Sequence, residues 1–240
     1  NWDVLILVVV VVGSVIVSAR PTMITWTGFA LAIWLLGAIK IYPFALGVVL
    51  LLALNLRLGW VIPAVFLTFT GLFAAMNISQ LTSSGRAYSD LSQLDYVDGS
   101  SPAYGRILLS ERLEGLFSTS SVTAVTLLLL LGILAFSGWW GWLSRNPEVS
   151  RSVQIRLAIL SLAGATAFLA KVLVVGFGFA YAGAALLLIV PALTLHSGAR
   201  SLHNGSMVAL ALLVLVAIFG ANNVVLGALA GFVVAGFGLG

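Results

Sequence analysis

The sequence contains no cysteine, which excludes disulfides, thiolate metal sites, cysteine nucleophiles and cysteine-ligated iron–sulfur clusters together. Histidine is nearly as scarce, since only His196 and His203 occur, seven residues apart in a polar stretch without acidic neighbours. A zinc site or a Ser-His-Asp arrangement needs more ligands or partners than this stretch supplies. We therefore expect no cofactor and no metal site of these kinds.

Charged residues are also scarce. They make up 8% of the chain, whereas ordinary soluble domains have about 25%. Hydrophobic residues make up 61%, and the mean hydropathy is +1.18. The net charge of +4 comes from basic residues that stand singly at the ends of apolar runs. This pattern is typical of membrane topology, so we expect a lipid bilayer and no nucleic acid as partner.

The N-terminal third consists of apolar runs that predict membrane-spanning helices, because a single segment in lipid must satisfy its own backbone hydrogen bonds. The runs are Val4–Ala19, Thr22–Ile39, Ile41–Asn55 and Val61–Met76. They are at or below the usual spanning length of roughly 17–25 residues, so residues 41–76 could instead form one re-entrant pair. Arg20, Lys40 and Arg57 interrupt the stretch at nearly even intervals, which favours four spans.

The C-terminal half continues the pattern. Its predicted helices are Val122–Trp142, two helices within Leu157–Leu195 that meet near Gly176–Gly178, Met207–Phe219 and Val224–Leu239. The sequence thus predicts an all-α, polytopic integral membrane protein with about nine short transmembrane helices, within a range of six to nine. It divides into an N-terminal membrane block (1–76), an extramembrane segment (77–117) and a C-terminal membrane block (118–240).

The extramembrane segment carries five of the seven acidic residues. Its second half has helical periodicity, which predicts an amphipathic helix along the membrane interface. The apolar face of that helix carries Leu109, Leu113, Leu116 and Phe117. Docking of a partner subunit explains the same face equally well.

Three aspartates of this segment, Asp90, Asp95 and Asp98, lie within nine residues of each other. Carboxylates so close together are typical of a divalent-cation site. The Asp98-Gly99 pair is equally typical of a turn in a solvated loop. We favour the loop.

The sidedness follows from the arginines in short loops, because cytoplasmic loops of membrane proteins carry the excess of basic residues. Six arginines of short loops fall on one predicted side, which we assign to the cytoplasmic side of a cell membrane. They are Arg20, Arg57, Arg145, Arg151, Arg156 and Arg200. Lys40 and the turn near Lys171 fall on the other side with segment 77–117, which is therefore predicted to be non-cytoplasmic.

The leading functional hypothesis is a non-catalytic subunit of a larger membrane protein complex. Gly227, Gly231 and Ala235 recur every fourth residue, and such a small-residue face lets another helix approach closely. Asn222 and Asn223 precede this face and could hydrogen-bond across helices. Packing within the chain remains the alternative to packing against other membrane subunits.

Two other functions stay open. A permease for a small or lipidic solute would use Arg57 and Lys171 as candidate pathway residues, because ionisable residues inside a membrane often mark a transport path. Snorkelling to the membrane surface explains both residues without any pathway. A lipid-modifying enzyme would use Asp90, Asp95 and Asp98, although the chain otherwise has few catalytic residue types.

Overall fold

The computed structural model describes residues 2–80, 103–104, 128, 130–139, 150–170, 178–196 and 224–239. Within these residues the protein is all-α. Its helices are α1 (Trp2–Ala19), α2 (Met23–Ile39), the 3₁₀ helix η1 (Tyr42–Asn55), α3 (Val61–Met76), α4 (Leu130–Trp139), α5 (Arg151–Leu169), the 3₁₀ helix η2 (Ala180–Ile189), α6 (Val190–His196) and α7 (Val224–Leu239). Two dipeptides, β1 (Ala103–Tyr104) and β2 (Gly178–Phe179), pair in antiparallel orientation.

The first four helices coincide with the four apolar runs that predicted them. Helix α1 ends just before Arg20-Pro21, because the residue before a proline is disfavoured in helical geometry. Helix α2 begins after Thr22, and Thr22 and Thr25 form a reciprocal capping box in which each backbone N–H donates to the other hydroxyl, at 3.1 and 3.3 Å. Helix α7 also has the predicted bounds within one residue.

The C-terminal predictions need one correction and are only partly covered. Helix α5 begins at Arg151 and not at Leu157, because Arg151 and Arg156 are good helix formers and extend the helix beyond the start of the apolar run. Helix α4 lies inside the predicted run Val122–Trp142, whose other residues are mostly outside the described part. The run Met207–Phe219 and the first two residues of the turn at 176–178 lie outside the described residues.

Helix η1 is a 3₁₀ helix along all of its 14 residues. A 3₁₀ helix has three residues per turn, so side chains at i and i+3 lie on the same face. The burial follows this period, because Pro43, Leu46 and Val49 are buried, whereas Val48, Leu51 and Leu54 are exposed. The 3₁₀ geometry therefore decides which face of this apolar segment joins the core.

Helix α5 is the central helix of the described bundle and packs against α1, η1, η2 and α7. It is also the one described helix that is long and apolar enough, by length and composition, to cross a membrane. Its buried side chains join a single hydrophobic core with residues of both halves of the chain, among them Ile33 of α2 and Phe232 of α7.

Helices α5 and α7 run antiparallel, as two glycines of α7 demonstrate. A Cβ at Gly231 would lie 2.4 Å from the ring of Phe168, and one at Gly238 would lie 3.0 Å from the carbonyl oxygen of Ser161. From the first pair to the second, the position advances by seven residues along α7 and goes back by seven residues along α5, so the two helices run in opposite directions. The absence of a side chain at these glycines thus permits the close approach of α7 to α5.

Candidate functional site

At one end of the described bundle, a polar cluster of Asp3, Lys40 and Tyr42 connects the helix ends. The ammonium group of Lys40 lies 3.3 Å from the Asp3 carboxylate and 5.9 Å from the centre of the Tyr42 ring. The Tyr42 hydroxyl donates a hydrogen bond to the same carboxylate. The side chain of Asp3 is only 15% exposed, and these two donors stabilise its charge. The cluster therefore fixes the start of α1 beside the end of α2 and the start of η1.

The opposite end is rich in arginine. Arg156 Nε of α5 donates to the hydroxyl of Ser18 on α1 at 3.1 Å, so α5 begins where α1 ends. Arg20 follows α1, and Arg57 lies in the turn between η1 and α3, which is the far end of η1 from Tyr42. Arg151, Arg20 and Arg57 are exposed. The described charges thus separate into an arginine end and an Asp3–Lys40 end.

Among the described residues, four serines are buried in the interior between these ends, namely Ser14, Ser18, Ser137 and Ser161. Three of them donate to carbonyl groups of their own helix, for example Ser14 to Val11 at 2.7 Å. Ser161 Oγ has no hydrogen-bond partner among the described residues. The described part of the chain also has no group of three His, Asp or Glu residues that could hold a metal ion.

Helix α3 lies at the edge of the described bundle, where it packs mainly against α2 and η1. A row of small residues, four, three and four positions apart, runs along its exposed side. The row consists of Ala64, Thr68, Gly71 and Ala75, and we call it the α3 outer face. A Cβ at Gly71 would meet no described atom within 4 Å. Large apolar side chains flank the row and are exposed: Val65, Leu67, Phe69, Leu72 and Met76.

The structure describes only some of the residues singled out from the sequence. Gly231 and Ala235 are buried within the chain, and Gly227 lies in the same helix. Arg57 is exposed in a turn, and His196 ends α6. The others lie outside the described residues: Asp90, Asp95, Asp98, Leu109, Leu113, Leu116, Phe117, Lys171, His203, Asn222 and Asn223.

Sequence analysis missed the Asp3 cluster and the α3 outer face. Asp3 is the only acidic residue before Asp90, and a hairpin of α1 and α2 brings it to Lys40. The isolated acidic residue in an apolar run was the signal from which this cluster could have been predicted. The small residues of α3 are visible in the sequence, but only the structure reveals that they face outward.

No family model, curated protein or solved structure matches this chain.

Proposed function

We propose that this chain is a polytopic integral membrane protein that serves as a non-catalytic subunit of a larger membrane complex. The observation that carries the proposal is the α3 outer face, a row of exposed small residues in which a Cβ added at Gly71 would meet no described atom within 4 Å.

Similar lengths of the described elements support several membrane crossings. At about 1.5 Å per residue, α1 and α5 are ~27 and ~28 Å long, and α3 is ~24 Å. At about 2.0 Å per residue, the 14 residues of η1 extend ~28 Å. The hydrocarbon core of a bilayer is ~30 Å thick. The 3₁₀ geometry thus gives a short segment the reach of a full span and favours two crossings over a re-entrant pair in residues 41–76.

The outward faces of the helices are as apolar as the interior, which supports contact with lipid. Helix α1 exposes Val8, Val12 and Ile16 on one continuous strip, each about half accessible. Soluble monomers rarely expose such continuous apolar surface. The described charges lie at the two ends of the bundle, where a bilayer meets water.

The arginine end is proposed to face the cytoplasm, because basic residues accumulate on that side of membrane proteins. Arg20, Arg57, Arg151 and Arg156 lie at this end. Helix α3 starts at the same end, so it finishes at the opposite, non-cytoplasmic end, where Asn77 begins the extramembrane segment. Ala103 of the extramembrane segment pairs with Phe179, which lies beyond the far end of α5. This pairing supports the assignment of the segment to the non-cytoplasmic end.

The α3 outer face suits a helix of another subunit better than lipid alone. In lipid, helices associate through close van der Waals packing, and small residues let the two backbones approach. Thr68 is already satisfied by the carbonyl group of Ala64 at 2.9 Å, so it can enter an apolar contact at little cost. Flanking Leu67 and Leu72 would fit the partner's own grooves.

Gly71→Leu tests this proposal, because the new side chain would separate the two helices at the α3 outer face. We expect the partner subunit to co-purify at least ~10-fold less, whereas the melting temperature of the chain itself stays unchanged, because no described atom of the chain is displaced. Gly132→Leu on α4 is the matched control, since Gly132 is equally unobstructed. A wild-type protein that purifies from its native membrane without any stoichiometric partner would contradict the proposal.

A further inference from the structure

An open apolar groove of about 420 Å³ runs between α1 and α2 on the outside of the bundle. We call it the α1–α2 groove. Its two walls are formed by Val8, Val12 and Ile16 on one side and by Thr25, Gly28 and Ala32 on the other. Only Thr25 is polar, so the groove fits an apolar occupant.

Two glycines explain why the groove exists. The ring of Phe29 covers Gly13 so closely that a Cβ there would lie 2.3 Å from a ring carbon, and this ring forms the floor of the groove. At Gly28, a Cβ would meet no described atom within 4 Å. The missing side chain of Gly28 therefore leaves one wall open.

One end of the groove is next to a cation. The hydroxyl of Thr25 donates to the backbone carbonyl of Arg20 at 2.6 Å, which brings Arg20 beside the groove at the arginine end. The Arg20 side chain is exposed and has no acidic partner among the described residues. An apolar groove with a cationic end is complementary to a lipid with a negatively charged headgroup.

We propose that the α1–α2 groove binds one acyl chain of an anionic phospholipid whose phosphate pairs with Arg20. The guanidinium group binds phosphate through two parallel hydrogen bonds, and the cytoplasmic leaflet is rich in anionic lipid. The apolar walls of the groove suit the methylene groups of an acyl chain. This inference rests on the proposed membrane location and does not depend on the partner subunit.

The test is native mass spectrometry of delipidated protein after incubation with vesicles of phosphatidylglycerol or of phosphatidylcholine. The wild type is expected to retain one phosphatidylglycerol and to prefer it over phosphatidylcholine. Gly28→Leu fills the groove and should reduce retention at least ~10-fold, at an exposed site without a described clash. Arg20→Gln should abolish the preference for phosphatidylglycerol and leave weak binding of both lipids.

Two matched variants separate this inference from the proposed function. Gly71→Leu and Gly132→Leu should retain the lipid like the wild type, because both glycines lie outside the groove. If Gly28→Leu retains as much phosphatidylglycerol as the wild type, the inference is overturned. It is also overturned if Gly28→Leu releases a bound protein chain and not a lipid. If the wild type is washed from membranes at alkaline pH, the proposed function fails. If it stays in the membrane but retains no lipid, only the inference fails.

Discussion

Gly231→Leu is expected to destabilise the chain itself and not merely to release a partner. A Cβ at this position would lie 2.4 Å from the Phe168 ring, and leucine adds three further carbons. Phe168 is fully buried and edge-on to Phe232, with ring centres 6.0 Å apart, so it has no free space into which it can move. Overpacking of a core costs about 1–3 kcal/mol, and we expect a value near the upper limit here.

The measurement is thermal unfolding in detergent together with the yield of folded protein. Gly132→Leu is the control for the added leucine, because it lies on an exposed helix face without a described contact. A melting temperature like that of the wild type, combined with the loss of a co-purified subunit, would contradict an internal contact. That result would support the prediction that the face of Gly227 and Gly231 binds another subunit.

Trp34→Ala is expected to loosen the junction of α2, η1 and α3. The Trp34 ring packs edge-on against Phe44, Phe69 and Phe73, with ring centres 6.1 to 6.3 Å apart. Truncation of a large aromatic side chain in a packed cluster costs about 3–5 kcal/mol. The measurement is the change in free energy of unfolding in a denaturing detergent titration.

Trp34→Phe is the matched variant for this cluster. The indole nitrogen of Trp34 is buried without a hydrogen-bond acceptor among the described residues, so phenylalanine removes a polar group that gains nothing from burial. We therefore expect Trp34→Phe to recover most of the stability that Trp34→Ala loses. Equal losses in the two variants would indicate that the aromatic contacts do not hold α3 in place.

The positions of the N-terminal helices could be predicted because their ends carry distinct signals. Arg20-Pro21 ends α1, and Lys40 follows α2. Which face of each helix is buried could not be predicted, since both of its faces are apolar. Val10 is 1% exposed and Val12 is 49% exposed, although the two positions carry the same residue. A hydrophobic pattern reveals the buried face only where the other face is polar.

The candidate sites depended on contacts between distant parts of the chain. The small-residue face of α7 was visible in the sequence, but its neighbour Phe168 lies on another helix. The 3₁₀ form of η1 was not predicted either, because a uniformly apolar run has no period from which three and 3.6 residues per turn could be distinguished. The position of each helix in the sequence was therefore more predictable than the helices against which it packs.

The most direct test of the central claim is the labelling of single cysteines in sealed cells with a membrane-impermeant maleimide. The chain has no cysteine of its own, so one variant reports one position. Gln80 follows α3 and Ser150 precedes α5, and both residues are exposed. If α3 and α5 cross the membrane as proposed, Gln80→Cys is labelled in intact cells and Ser150→Cys only after permeabilisation. Labelling of both residues from the same side would contradict the account.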